Sequence, residues 1–171
     1  MLKGAALGVD IAYVQRMAEQ VIIGDGEALP ARSVSVGAFA YEKRILVPKE
    51  GNQLHVSFME IPPGKSAFPY HWHEGITEAF VILSGTGVVR TPSGEHAVKA
   101  GDVVVFPPGA AGAHRITNTT AAETLRYVDL DTTSRPDVMH YPDSGKTAIS
   151  GGSAPPTVWR DEDTVDYFDR E

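Results

Sequence analysis

The sequence predicts an all-β protein: a double-stranded β-helix, or jelly roll, with a short N-terminal helix and an extended C-terminal tail. Three observations lead there. Between residues 33 and 131, apolar and polar side chains alternate in short runs, the period of a half-buried strand. Turn formers separate those runs, drawn from 17 glycines and 12 prolines in 171 residues. Nothing in that window repeats with helical spacing. The chain divides accordingly into a helix and arm (residues 1–32), a β-barrel (33–131) and a tail packing on the barrel (132–171), one domain by length.

Residues 10–22 (DIAYVQRMAEQVI) set Ile11, Val14, Ala18, Val21 and Ile22 along one helical face, with Asp10 able to cap. GDGEALPAR is a loop. SVSVGAFAY is a strand, and EKRILVPKEGNQ ends another and turns. LHVSFMEI (54–61) puts His55, Ser57, Met59 and Ile61 on one face and Leu54, Val56, Phe58 and Glu60 on the other. After the PPG break, AFVILSG, the hairpin GVVRTPSGEHAVK, GDVVVF, HRITN and TLRYVDLD complete the set. Beyond Asp131 the alternation dissolves, so TTSRPDVMHYPDSGKTAISGGSAPPT reads as a surface segment. Trp159, Val165, Tyr167 and Phe168 are the expected grip of the last segment on the barrel.

Composition removes several function classes. Net charge is −7, and the acid is concentrated near the C-terminus, which argues against nucleic acid or an anionic membrane as partner. The absence of cysteine rules out disulfides, thiolate metal sites and cysteine nucleophiles. No run approaches the roughly 18–20 apolar residues of a membrane span. Asp10 and Gln15 interrupt the first residues too early for a secretion signal, so a cytoplasmic location is expected. No G-x-S-x-G, phosphate-binding loop or G-x-G-x-x-G is present, which leaves metal chemistry as the route to any catalysis.

The chemistry gathers in PPGKSAFPYHWHEGITEAFVILSG. In an extended strand His71 and His73 share a face, and EGIT turns the chain so that Glu78 can return a carboxylate to them. Two imidazoles and a carboxylate make most of a first-row transition-metal site. GDVVVFPPGAAGAHRITN can add the imidazole of His114. Glu74 is a competing carboxylate, but strand parity turns it away from His73. His96 and His140 read as surface residues.

Both stretches resemble cupin motifs. The first matches G(X)5-6HXH(X)3-4E(X)6G at Gly64, His71, His73, Glu78 and Gly85. The second matches G(X)5PXG(X)2H(X)3N at Gly101, Pro107, Gly109, His114 and Asn118, except that AAGA separates Gly109 from His114 where the pattern has two residues. The resemblance covers about residues 33–131, and VMHYPDSGK and VDYFDRE resemble tails of small bacterial single-domain cupins. It implies His71, His73, Glu78 and His114 as ligands of one divalent transition metal (Zn, Fe, Mn or Ni), with open positions for substrate. It also implies a homodimer.

Around the metal, a largely apolar pocket is expected from His55, Met59, Phe68, Phe80, Ile82, Phe106, Ile116 and Tyr127, with Trp72 at its mouth. Tyr70, beside the first ligand, is the candidate catalytic proton donor. Asn118 is expected to tie down a turn. A phosphate substrate would have to find Lys65, Arg90 or Arg115. The expected function is that of a metal-dependent enzyme on a small oxygenated molecule, either an isomerase of a sugar or sugar phosphate or an Fe(II) dioxygenase. The alternative is a non-catalytic module that binds or senses a small carbohydrate or acid.

Overall fold

The computed structural model describes residues 21–151 and 155–170. Its thirteen strands are β1 (Arg32–Val36), β2 (Phe39–Val47), β3 (Leu54–Ile61), β4 (Trp72–His73), β5 (Glu78–Ser84), β6 (Thr86–Thr91), β7 (Gly94–Lys99), β8 (Val103–Phe106), β9 (Arg115–Thr117), β10 (Leu125–Thr132), β11 (Asp137–Tyr141), β12 (Lys146–Ser150) and β13 (Thr157–Arg160). They form an antiparallel jelly roll of one six-stranded sheet, β1-β2-β3-β10-β5-β8, and two smaller ones, β13-β12-β11-β4 and β7-β6-β9.

The two-residue period sorts side chains by face, and the core follows from it. Met59 and Ile61 of β3, Phe80 and Ile82 of β5 and Leu125 and Tyr127 of β10 meet Val89, Val98 and Ile116 from the three-stranded sheet. At the corner between β5 and β6 the backbone of Gly85 has φ of 80°, and a Cβ there would lie 2.7 Å from the Thr124 carbonyl oxygen. Only glycine fits that crossing.

The predicted helix over 10–22 lies mostly outside the described residues, and its last two positions, Val21 and Ile22, have no regular structure. The reading of the segment after Asp131 as a surface loop is corrected. It contains β11, β12 and β13, and β11 pairs with β4, setting Met139 opposite His73 and His140 opposite Trp72. Hydrophobic alternation hid these strands because two of their buried positions are polar, Asp137 and Thr147. The expected grip of the last segment is corrected for three of its four residues, while Trp159 is half-buried in β13 opposite Thr147. Val165, Tyr167 and Phe168 are 74%, 88% and 73% exposed, and the two aromatic rings pack on each other instead.

Candidate metal centre

β4 holds the site together from the backbone up. His71 N–H donates to the His114 carbonyl at 3.1 Å, and His114 N–H donates back to His71 at 2.9 Å. Gly109 N–H donates to the His73 carbonyl at 2.8 Å. The alternation along His71 and β4 turns His71 and His73 inward. It turns Trp72 outward, stacked on His140 with ring centroids 4.1 Å apart. Glu74 also faces away and accepts from His140 Nε2 at 2.9 Å. His140 is therefore half-buried in a sheet rather than a free surface residue, whereas His96 is exposed.

The structure brings all four expected ligands together. His71, His73 and Glu78 offer ligand atoms within 4.8 Å of one another, and His114 Nε2 lies 3.1 Å from Glu78 Oε2. All four side chains are buried. Each imidazole is fixed from behind, because its Nδ1–H is committed: His71 donates to Pro69 O at 2.9 Å, His114 to Gly112 O at 2.9 Å and His73 to both Asp137 oxygens at 3.0 and 3.1 Å. That arrangement leaves the Nε2 lone pairs facing Glu78. The rings of Phe106 and Phe80 hold His114 from the core, Phe106 stacked at 3.7 Å.

The electrostatics fit a cation. Among the protein groups alone, burial lowers His71 to about 4, so this imidazole is neutral at pH 7. Burial also disfavours charge on Glu78, yet the surrounding imidazoles, led by His114, hold its carboxyl below the usual range. On His114 burial is outweighed by the Glu78 carboxylate, and the pKa rises. Glu78 Oε2 and His114 Nε2 are buried with no well-directed hydrogen-bond partner among the described residues. A metal ion would satisfy both at once. Three nitrogens and a carboxylate oxygen suit a first-row divalent ion and leave coordination positions open.

Beside the ligands is a cavity of about 190 Å³. Phe68 lines it as expected, with Pro69. Its other walls correct the expectation of an apolar pocket: they carry Lys43, Lys49, Asp129 and Asp131, with Met139 and Tyr141 contributed by β11. Met59, Phe80, Ile82, Phe106, Ile116 and Tyr127 pack in the core, and His55 is buried against Asp129 and Asp131. Tyr70 is not among the lining residues; the Arg90 guanidinium covers its ring at 4.0 Å, and the pocket's phenol is Tyr141.

Lys65, Arg90 and Arg115 also lie elsewhere. Lys65 donates to the Gly37 carbonyl, and both arginines face Asp143. Asn118 ties a turn, donating to the Ile61 and Glu123 carbonyls and accepting from Thr120.

The missed cavity residues form two ion pairs, Lys43 Nζ–Asp129 Oδ2 and Lys49 Nζ–Asp131 Oδ2, each at 3.1 Å. Burial, with Asp129 and Glu78 nearby, pushes Asp131 up to about 8 against the pull of Lys49. A divalent ion on Glu78 would oppose that rise. The signal that could have found these residues lay in β10: one face of LRYVDLDT carries Leu125, Tyr127, Asp129 and Asp131, two acids in line with core residues.

Residues 57–131 match a family described as the cupin domain. A putative sugar phosphate isomerase from Acidithiobacillus ferrooxidans is similar in structure, with TM-score 0.70 and 23% identity over 82% of this chain and 90% of its own. A sugar phosphate isomerase from Silicibacter pomeroyi has TM-score 0.70 and 21% identity over 85% and 96%. A predicted oxalate decarboxylase from Thermotoga maritima has TM-score 0.58 and 27% identity over 67% and 100%. No curated protein matches the chain. Motifs, topology and these likenesses agree on a small protein that carries a cupin domain over residues 57–131 and has the cupin fold.

Proposed function

We propose that this protein is a metal-dependent enzyme acting on a small oxygenated molecule, and that proton-transfer isomerisation of a sugar-like substrate is the reaction its cavity supports best. The observation that carries this reading is the pair of Lys–Asp contacts lining the same small cavity as the four candidate ligands. His71, His73, Glu78 and His114 would hold one divalent ion, which when bound supplies a Lewis acid at a substrate oxygen. Asp131 is the register partner of Glu78 across β5 and β10, and so adjoins the ligand set. The Asp131 carboxylate would accept and return the proton moved between neighbouring substrate carbons, while the lysine ammoniums orient the hydroxyls. Phe68 and Tyr141 would shield that proton from solvent.

The sugar phosphate isomerase descriptions of two structural neighbours agree with this reaction class. The dioxygenase reading gains less support, because no feature of the polar cavity calls for oxygen. The binding-module reading uses the same cavity without turnover. The test is anaerobic incubation of Mn-, Fe-, Ni- and Zn-loaded protein with a panel of aldoses, ketoses and their phosphates, followed by NMR product analysis. Isomerised product without oxygen is the expected result. Oxygen consumption by the iron form in a parallel aerobic incubation would replace it with the oxygenase reading, and binding without conversion with the module.

The homodimer is proposed on the outer face of the large sheet, where Leu83, Val103 and Val105 are 48%, 61% and 59% exposed. Light scattering on the purified protein checks it.

A further inference from the structure

We propose that the Tyr141 hydroxyl donates a hydrogen bond to the substrate carbonyl oxygen on which negative charge develops during proton transfer. This rests on the isomerase reading of the cavity, and it adds a catalytic residue from outside the matched residues 57–131.

Strand alternation brings Tyr141 to the site. Met139 and Tyr141 are two apart in β11 and share a face, and Met139 stands opposite His73 in the ladder between β11 and β4. Both side chains line the cavity beside the candidate ligands. The phenol ring stacks on the His71 imidazole, with centroids 5.9 Å apart and planes 21° from parallel. The turn that follows is pinned. Ser144 N–H donates to the Tyr141 carbonyl at 3.1 Å, and Arg90 grips the Asp143 carboxylate with two bonds at 2.6 and 2.9 Å. The ring is therefore placed before any ligand arrives, as a donor that acts by preorganisation must be.

Its hydroxyl has little else to hold. Among the described residues its one hydrogen-bond partner is Met139 Sδ, at 3.7 Å. A thioether is a weak acceptor, so exchanging it for a charged oxygen is favourable. The other side-chain donors of the cavity each already hold an oxygen. Lys43 holds Asp129 and Lys49 holds Asp131, while the Nδ1–H groups of His71 and His73 go to Pro69 and Asp137. A phenol with an ordinary pKa of about 10 keeps its proton at pH 7.

The step it serves is the transfer of a proton between neighbouring carbons. When the Asp131 carboxylate takes the proton from the carbon beside a carbonyl, the C–H electron pair forms the new C=C bond. The π pair of the carbonyl moves onto its oxygen, which becomes an oxyanion. Tyr141 O–H donates to that oxygen and keeps its own proton. The proton of the neighbouring hydroxyl then passes to the first oxygen. Return of the Asp131 proton to the former carbonyl carbon leaves the carbonyl one position along.

The test is calorimetric titration of the metal-loaded full-length protein at pH 7 with acetohydroxamate, a planar two-oxygen mimic of the enediolate. Tyr141→Phe should bind it about tenfold or more weakly than wild type, with metal stoichiometry unchanged. Tyr70→Phe should bind it as wild type does, because Tyr70 does not line the cavity. Met139→Leu removes the sulfur acceptor and should bind at least as tightly as wild type. Wild-type affinity in Tyr141→Phe overturns the proposal, as does a wild type that does not bind the hydroxamate. Loss of metal from Tyr141→Phe would reduce the residue to a support for His71 and overturns it too. The two readings fail separately. Weakened hydroxamate binding in Tyr141→Phe with no sugar converted by wild type keeps the donor and sinks the isomerase, whereas wild-type turnover by Tyr141→Phe does the reverse.

Discussion

His73 and Asp137 meet through one imidazole N–H and both carboxylate oxygens, at 3.0 and 3.1 Å, across 64 positions of sequence. The contact joins a motif strand to β11, so a segment outside the match at 57–131 orients a candidate ligand. Such a carboxylate fixes the ring's tautomer and raises its basicity. Asp137→Asn keeps the volume and removes the charge. It should weaken metal affinity about 10- to 100-fold, read by competition with a coloured chelator. Unchanged affinity would reduce Asp137 to a packing role.

The ligands themselves predict larger losses. His73→Ala and Glu78→Gln should each abolish stoichiometric metal, since every ligand removed leaves the remaining lone pairs buried and uncompensated. His96→Ala should change nothing, because His96 is exposed on β7 and its side chain, among the described residues, is bonded only to Ser93 at 3.1 Å. Elemental analysis of the three variants decides it; one metal per chain in His73→Ala would refute the ligand set.

The grouping of the four candidate ligands could be read from the sequence because the motif spacing that suggested it is enforced by short strands and turns. His71 and His73 two apart, Glu78 after a short turn and His114 after a G…P-x-G run are geometry that one strand and its neighbours enforce. The cavity could not be read the same way. Strand alternation is usually interpreted by placing apolar residues inside, and here Lys43, Asp129, Asp131 and Asp137 are inside while Val103 and Val105 are out. Polar residues on the inner face of a barrel look, one strand at a time, like an outer face. Only pairing shows otherwise: Asp131 lies opposite Glu78 on one side and His55 on the other. Ion pairs such as Lys43–Asp129, 86 positions apart, have no local signature at all.

His55 predicts a pH dependence. Burial, reinforced by the Lys43 charge, lowers it to about 4 from an ordinary value of 6.5. The unfolded chain therefore binds a proton that the folded chain refuses between those values. Stability from this group is full above pH 6.5 and lost as pH falls toward 4, by about 3 kcal/mol at 1.36 kcal/mol per unit. Asp131, raised to about 8, works with the opposite sign, so the informative quantity is a difference. Urea midpoints of wild type and His55→Gln should converge as pH drops from 7 to 4.5. A constant gap between the two would mean that His55 does not titrate across the unfolding transition.

Gly112 gives the sharpest structural prediction, and it explains the extra residues between Gly109 and His114. Ala110–Gly112 form a single 3₁₀ turn, and the Gly112 carbonyl accepts the His114 Nδ1–H that fixes the ring. A Cβ on Gly112 would fall 1.8 Å from the Pro107 carbonyl oxygen and 3.0 Å from its carbon. Both are backbone atoms, so no side-chain rotation relieves the clash, and the turn must move. Gly112→Ala should therefore destabilise the fold by about 1–3 kcal/mol, the usual range for overpacking. It should also weaken metal binding, because the carbonyl that orients His114 moves with the turn. Ala111→Gly is the control: it alters the same turn without adding an atom, and should leave metal affinity within about threefold. Thermal melts with and without metal separate the two effects. A smaller metal-induced rise in Tm for Gly112→Ala than for wild type supports the coupling, and an equal rise would show that the turn holds the backbone but not the ligand.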